Sequence, residues 1–372
     1  MARAGWARWL LIGVLAVAGC GQGPASSAHH AALGSCPASP GPALLPNALC
    51  LCGDLRDVGS LTVGLGSGGG VGVDGQSLVR QSVVVRGSWW NGGPIDLTGS
   101  ASLEGELRTA GALAVTGDLE VGADLSVGGD LSGTGSARVD GALRLAGQNR
   151  MSGLSAQGSA DYTPQAAPCP CGETQLFDVA GAVAMARTNN DNAARELPTD
   201  SLANAGATLA TGRYYFASAQ GLGAKPLRIE GAVALFLDGD VDAIGSSALS
   251  LAPGATLDLY VAGSVRTVGA VQLGAPQAPS AFRLYIGGTE QVAVGSQIFE
   301  GAIYAPRATV SYTGSTIVRG GLFAHALKGD GAIQIESAAP EAPGPSVCEP
   351  PPAQGSDVTP DLPAVTDTPP IM

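Results

Sequence analysis

GPIDLT, GSASLE, GELRTA, GALAVT, GDLEVG, ADLSVG, GDLSGT, GSARVD and GALRLA fill residues 93–146 as nine hexads without a break. Eight of the nine begin with Gly, Ala123 being the exception. The third and fifth positions are apolar, as in Leu113/Val115, Leu119/Val121 and Leu125/Val127, and only Thr109 and Gly133 depart from Ala, Ile, Leu or Val. The positions between them, among them Asp96, Arg108, Glu120 and Arg138, are small or charged. Period-two alternation broken by a corner predicts short strands joined by tight turns. Glycine gives the backbone the freedom such corners need. Short parallel strands cannot be joined by hairpins, so the chain is expected to wind into a β-solenoid. Three hexads per coil make an 18-residue turn that stacks Leu107 on Leu125 on Leu143, and Leu113 on Leu131. A stack this thin should lean on neighbouring structure.

The whole chain of 372 residues agrees with that start, being 45% hydrophobic and 13% charged with 56 Gly. Such a composition suits thin stacked strands better than a broad core. The expected fold is all-β: a right-handed parallel β-helix in two blocks, with one short packed helix between them. A formal net charge of −12 without any basic cluster argues against nucleic acid or anionic lipid as partner.

The amino terminus carries Arg3 and Arg8, an apolar run from Trp9 to Gly19, and then Cys20. That run is too short to span a bilayer. Val17-Ala18-Gly19-Cys20 resembles the lipobox of bacterial lipoproteins. The resemblance implies a signal peptide over 1–19, lipidation of Cys20 and a membrane partner reached through the lipid anchor. With Gly21 in place of Asp, it further implies the bacterial outer membrane, on either its periplasmic or its surface side. Residues 20–49, with His29 and His30, then read as a lipidated tether.

Six cysteines remain: Cys36, Cys50, Cys52, Cys169, Cys171 and Cys348. Two Cys-x-Cys motifs flank the block 50–171, and an even count in an exported chain favours disulfides over a metal site. Connectivity is not readable, although bonds between the two motifs would staple the ends of the first block. Gly69 to Asp74 matches the start of a calcium-binding nonapeptide once, without the consecutive copies a calcium roll needs. Trp89 and Trp90 are expected to cap the open end of the apolar stack, with a glycan platform as the alternative.

Residues 172–224 read as a connector. Thr174 is expected to cap a helix over 176–187 with Leu176, Val179, Ala180, Val183 and Ala184 on one face. Asn189-Asn190-Asp191-Asn192 then ends it and bonds the freed carbonyls. From 225 to 337 an aliphatic-aromatic-aliphatic triplet recurs at Leu235-Phe236-Leu237, Leu259-Tyr260-Val261, Leu284-Tyr285-Ile286, Ile303-Tyr304-Ala305 and Leu322-Phe323-Ala324. One coil per triplet aligns Phe236, Tyr260, Tyr285, Tyr304 and Phe323 as a ladder, either buried under the helix or lining a groove as binding candidates. Asp238, Asp240 and Asp242 alternate along one strand face and are the further binding candidates. Residues 338–372 read as a Pro-rich acidic tail.

The hexads look like the solenoid of bactofilin-type polymer-forming proteins. The stretch from Cys169 to Ile335, with Gly212-Arg213-Tyr214-Tyr215 and Ala302-Ile303-Tyr304-Ala305-Pro306-Arg307-Ala308, is similar to an uncharacterised β-helical domain of bacterial envelope lipoproteins and pilus-associated surface proteins. That resemblance implies an envelope location and no catalytic residues. A His-Tyr-Asp ending associated with that domain is replaced here by Gln334-Ile335-Glu336. No catalytic residue, metal ligand or cofactor is assigned. The expected role is structural, adhesive or surface display, toward glycan, matrix or an envelope protein, with self-association of open solenoid ends compatible with it. The alternative is a carbohydrate-active lyase or hydrolase on the same scaffold, using the three aspartates.

Overall fold

The computed structural model describes residues 47–64, 69–202, 208–218, 227–244, 249–269, 278–295 and 298–336. All of these lie in the unit Pro37–Met372. Cys20, Cys36, Cys348, the 1–19 leader, nearly all of the tether and the 338–372 tail lie outside the described residues.

The chain is an all-β parallel solenoid of about 14 turns with a single helix, and strands make up about 55% of it. In the hexad block the expected coil is the observed one. Leu107 pairs with Leu125, Leu125 with Leu143, and Leu113 with Leu131, each 18 residues on. The third and fifth hexad positions point inward, so Leu113, Val115, Leu119, Val121, Leu125 and Val127 form a continuous buried column. Thr109 is the polar exception on the inside, and its hydroxyl donates to the Gly93 carbonyl at 2.6 Å.

The two blocks do not stack in the order in which the chain makes them. One row of parallel strands runs from Thr208–Phe216 through Leu227–Leu237, Thr256–Val261, Phe282–Ile286 and Ala302–Tyr312 to Leu322–Gly329. It continues directly into Leu49–Leu51, Val71–Val73, Trp89–Asn91, Leu107–Thr109, Leu125–Val127 and the end of Ser136–Leu145. The last coil of the second block thus lies beneath the first coil of the hexad block. Leu49 pairs with Leu322, Leu55 with Leu327, and Leu61 with Ile333 across this seam. One hydrophobic core passes through it without interruption.

This arrangement corrects the expectation for Trp89. Its strand pairs with Val71–Val73 on one side and Leu107–Thr109 on the other, so the indole is a fully buried interior residue and not an end cap. The second block also begins earlier than residue 225, because Thr208–Phe216 is already a rung of the stack. Tyr214-Tyr215-Phe216 has the inward-outward-inward pattern of the later triplets, but its first residue is not aliphatic.

Having reached one end of the stack at Ala160, the chain must return past the seam to begin again at Thr208. The return segment crosses the outside of the row just described. Arg108 Nη1 donates to Gln165 Oε1 at 2.9 Å, the Cys169 amide to Asp74 Oδ1 at 3.1 Å, and the Phe177 amide to the Tyr304 hydroxyl at 2.9 Å. The helix spans Val179–Ala186 and is capped by Asp178, whose carboxylate accepts from the Gly181 amide at 2.9 Å. Thr174 is therefore not the cap: the four residues before Asp178 are spent on reaching the aromatic face, where Leu176 and Phe177 pack. The buried helix positions are Val179, Ala182, Val183 and Ala186, so Ala180 and Ala184 face outward.

Candidate functional site: the strapped aromatic face

The outward residue at the centre of each strand in this row stacks on its counterpart one coil away. Phe236 pairs with Tyr260, Tyr260 with Tyr285, Tyr285 with Tyr304, and Tyr304 with Phe323. The column begins one coil earlier, at Tyr215. Phe236, Tyr260 and Tyr285 stack face to face at 4.6 Å centroid spacing, close to the strand spacing that sets it. The rings form a second apolar cluster with Val179, Val183 and Ala186 of the helix laid over them. Phe177 meets Tyr260 and Tyr285 with its ring at 6.1 and 6.0 Å. Tyr285 retains 5% exposure, so these five residues are the floor beneath the strap and not an open groove. Burial raises the Tyr260, Tyr285 and Tyr304 phenols above the ordinary tyrosine range, because the phenolate would lose its hydration there.

Cys50 occupies the next place in the column above Phe323, and Gly72 the place above Cys50. Cys50 is joined to Cys169, and Cys52 to Cys171. A Cβ on Gly72 would lie 2.7 Å from the Cys169 sulfur, so the strap needs glycine there in order to reach the sheet. The connectivity left open by the sequence is thus motif to motif, and both bonds close over the seam between the blocks. Asp74, the last residue of the calcium-like motif, receives the Cys169 amide and so pins the strap.

The three aspartates are not aligned on one strand face. The strand Leu227–Leu237 ends before Asp238, Gly239 turns the corner at φ +98°, and the next strand is Val241–Ile244. Each carboxylate has its own partner. Asp238 pairs with Arg187 and accepts from the Tyr215 hydroxyl at 2.9 Å, and the Arg187 hydrogen bond holds its carboxyl below the usual range. Asp240 accepts the Ser264 amide at 2.7 Å, and Asp242 pairs with Arg266 at 2.9 Å. The Asp240 arrangement is a recurring corner device. Asp54, Asp118, Asp124 and Asp130 likewise accept an amide from the coil above, at Gln76, Ser136, Ala142 and Gln148. The signal was present in the sequence, since each of these aspartates follows Gly or Ala at a corner.

Asn190 meets the expectation for the polar run, donating to the Ala186 and Arg187 carbonyls at 2.8 and 3.1 Å. Asp191 and Asn192 do something the sequence did not reveal: they bond the outer edge of the first rung. His325 lies at the seam beside a cleft of about 350 Å³ lined by Asp54, Arg56, Gln291 and Lys328. Its ring rests against Gly53, where a Cβ would come within 3.3 Å of the imidazole. Among the described residues no group of three or more His, Cys, Asp or Glu is placed to hold a metal ion. No described helix is long and apolar enough to cross a membrane.

Residues 171–339 match the model of a domain of unknown function, DUF7305. The matched stretch takes in the strap from Cys171, the helix and the whole second block, and leaves out the hexads. No curated protein and no solved structure matches the chain.

Proposed function

We propose that this protein is a lipid-anchored bacterial envelope protein whose stapled solenoid is a structural and surface-display element. The observation that carries the reading is the pair of bonds Cys50–Cys169 and Cys52–Cys171, which lock the strap to the first coil of the hexad block at the seam. Bonds of this kind persist in oxidising, exported compartments, and the lipobox-like Val17-Ala18-Gly19-Cys20 supplies the route there. The aspartates that a glycan-cleaving enzyme would need are engaged in corners and ion pairs, which supports a non-catalytic role.

Cell fractionation of Cys20→Ser tests the anchor. The variant should move to the soluble fraction, and unchanged detergent partitioning rejects the lipoprotein reading. Incubation of the purified protein with acidic and neutral polysaccharides tests the role, and cleavage that is lost in Asp240→Ala would overturn it.

An adhesive form of the same reading has one observation in its favour. Trp90 is 42% exposed, carries the Arg108 guanidinium 5.5 Å from its ring centroid, and borders a cleft of about 240 Å³ with Gln165 and Pro168. An indole edge with polar donors beside it suits a sugar ring.

A further inference from the structure

Among the described strand pairings, charged side chains that the register sets side by side are matched in sign, with one exception. Glu120 lies beside Arg138, Asp258 beside Arg283, and Arg319 between Glu300 and Glu336. Arg56, however, lies beside Lys328, two cations one strand spacing apart. Like charges so placed repel, and the fold alone gives no reason to keep them. A local rule broken without a structural gain is the mark of a functional position. The pair also sits on the seam, since Arg56 belongs to the first coil of the hexad block and Lys328 to the last coil of the second block.

The two cations flank the cleft of about 350 Å³ beside His325, which exists only because the blocks are docked. Its wall comes from four successive coils: Gln291, then Thr309, then His325 and Lys328, then Asp54 and Arg56. Three strand spacings, roughly 14 Å, separate the first coil from the last, so the cleft runs along the solenoid axis. Asp54 is the one acid in this wall and is already engaged. Its Oδ2 accepts Arg56 Nε and Nη2 at 2.9 and 2.6 Å, and its Oδ1 accepts the Gln76 amide at 2.9 Å. The Lys328 ammonium has no ion pair or hydrogen bond among the described residues. Asp57 and Asp330 lie outside the wall, and Asp57 is paired with Arg80. Two cations thus stand against one anion, a local surplus of positive charge in a chain of net charge −12. Gln291 donates Nε2 to Ser311 Oγ at 2.8 Å, which leaves its carbonyl oxygen as an acceptor, and Thr309 and His325 add further donors and acceptors.

We propose that this cleft binds an acidic glycan through a hexuronate unit, its carboxylate held by Lys328 and Arg56 and its hydroxyls by Gln291, Thr309 and His325. The single surplus charge matches a monoanion, whereas a phosphate dianion would be half unmatched. A long wall of neutral polar groups suits a chain of hydroxyl-bearing units, and it offers an acidic peptide no apolar pocket for its side chains. Repulsion from the rest of the acidic chain is screened beyond about 10 Å at 0.1 M salt, so the local charges decide. The inference rests on the surface-display reading, and it uses a site distinct from Trp90.

Isothermal titration of the full-length protein in detergent tests this, with oligogalacturonate and oligoglucuronate as probes and their methyl esters as neutral counterparts. Lys328→Gln removes the charge without breaking a contact, while Arg86→Gln, at an exposed arginine outside the cleft, makes the same change in net charge elsewhere. The expected result is one saturable site for an acidic oligomer, with binding at least ~10-fold weaker for its ester and for Lys328→Gln, and within ~2-fold of the parent for Arg86→Gln. No saturation by either acid at ~10 mM overturns the proposal, as does equal binding of the esters. An equal loss in the two variants overturns it by showing diffuse attraction, and binding that Lys328→Gln leaves intact overturns it by placing the glycan elsewhere. Failure of the anchor is read separately, in the fractionation of Cys20→Ser, and a neutral glycan held at Trp90 would not respond to Lys328→Gln.

Discussion

Between Trp89 and Leu143 every coil takes 18 residues, whereas from Leu235 to Leu322 successive coils take 24, 25, 19 and 19. The regular half keeps most of its outward positions small or charged, Trp90 being the large exception, and, beyond the strap, wet. The irregular half turns a column of aromatic rings outward and covers it with a helix and strap. The lesson lies in where each half obtains its apolar burial. Identical short corners leave no room for a second layer, so the hexads rely on the inner column alone. A second layer in the other half adds large rings to that column, and longer coils cost little because loop-closure entropy grows slowly with length. The disulfides sit where the two solutions meet.

Removing those bonds should give the largest effect. The variant Cys50→Ser/Cys52→Ser/Cys169→Ser/Cys171→Ser frees two overlapping closures, each with a sequence separation of 119. Denaturant unfolding should show a loss of about 4–5 kcal/mol, most of it from the first closure. If the halves are held by the seam strands alone, the variant will unfold with the parent.

Tyr285→Ala removes a ring from the middle of the covered column and should cost about 3–5 kcal/mol in the same assay. A melting temperature within about a degree of the parent would mean that the strap does not seal the face. The regular half is probed by glycine. Gly117 turns its corner at φ +127°, and a Cβ there would lie 2.5 Å from the Gly99 carbonyl oxygen. Gly117→Ala should lose about 1–3 kcal/mol. Gly158→Ala, with nothing within 4 Å, should stay within about 0.5 kcal/mol of the parent. Equal effects at the two sites would show that the corner geometry is not what fixes the 18-residue coil.

The smallest effect separates the halves by pH. Burial raises the phenols of the covered column, so the fold favours their neutral form. Their stabilisation is complete below the ordinary tyrosine range and drains as pH rises above about 10, because the unfolded chain ionises first. Each such phenol should cost about 1.4 kcal/mol per pH unit in that window. Tyrosinate absorbance should appear together with unfolding and not before it.

Much of this was legible from local pattern. Hexad spacing predicted which leucines stack, and the triplets predicted the ring column, because an inward-outward alternation repeats wherever a strand repeats. The aspartates misled for the opposite reason: their spacing of two suggested one strand face, but Gly239 turns the chain between Asp238 and Asp240. The helix cap moved from Thr174 to Asp178 because the distance to the aromatic face, which no local motif encodes, decides where the helix can start.

By itself, then, the sequence determined the parallel coil, its 18-residue register and the aromatic column, while the pairing of the cysteines came from the structure. Only the tertiary structure decided that the second block lies beneath the first, that Leu49 rests on Leu322, and that Asp191 and Asn192 bond the outer edge of the first rung at Arg213 and Tyr215. The physical reason is that a rung is held to the next by backbone hydrogen bonds and generic aliphatic contacts. Either block could sit on the other as far as those are concerned, and the choice is made by a strap and two disulfides that join residues far apart in the chain.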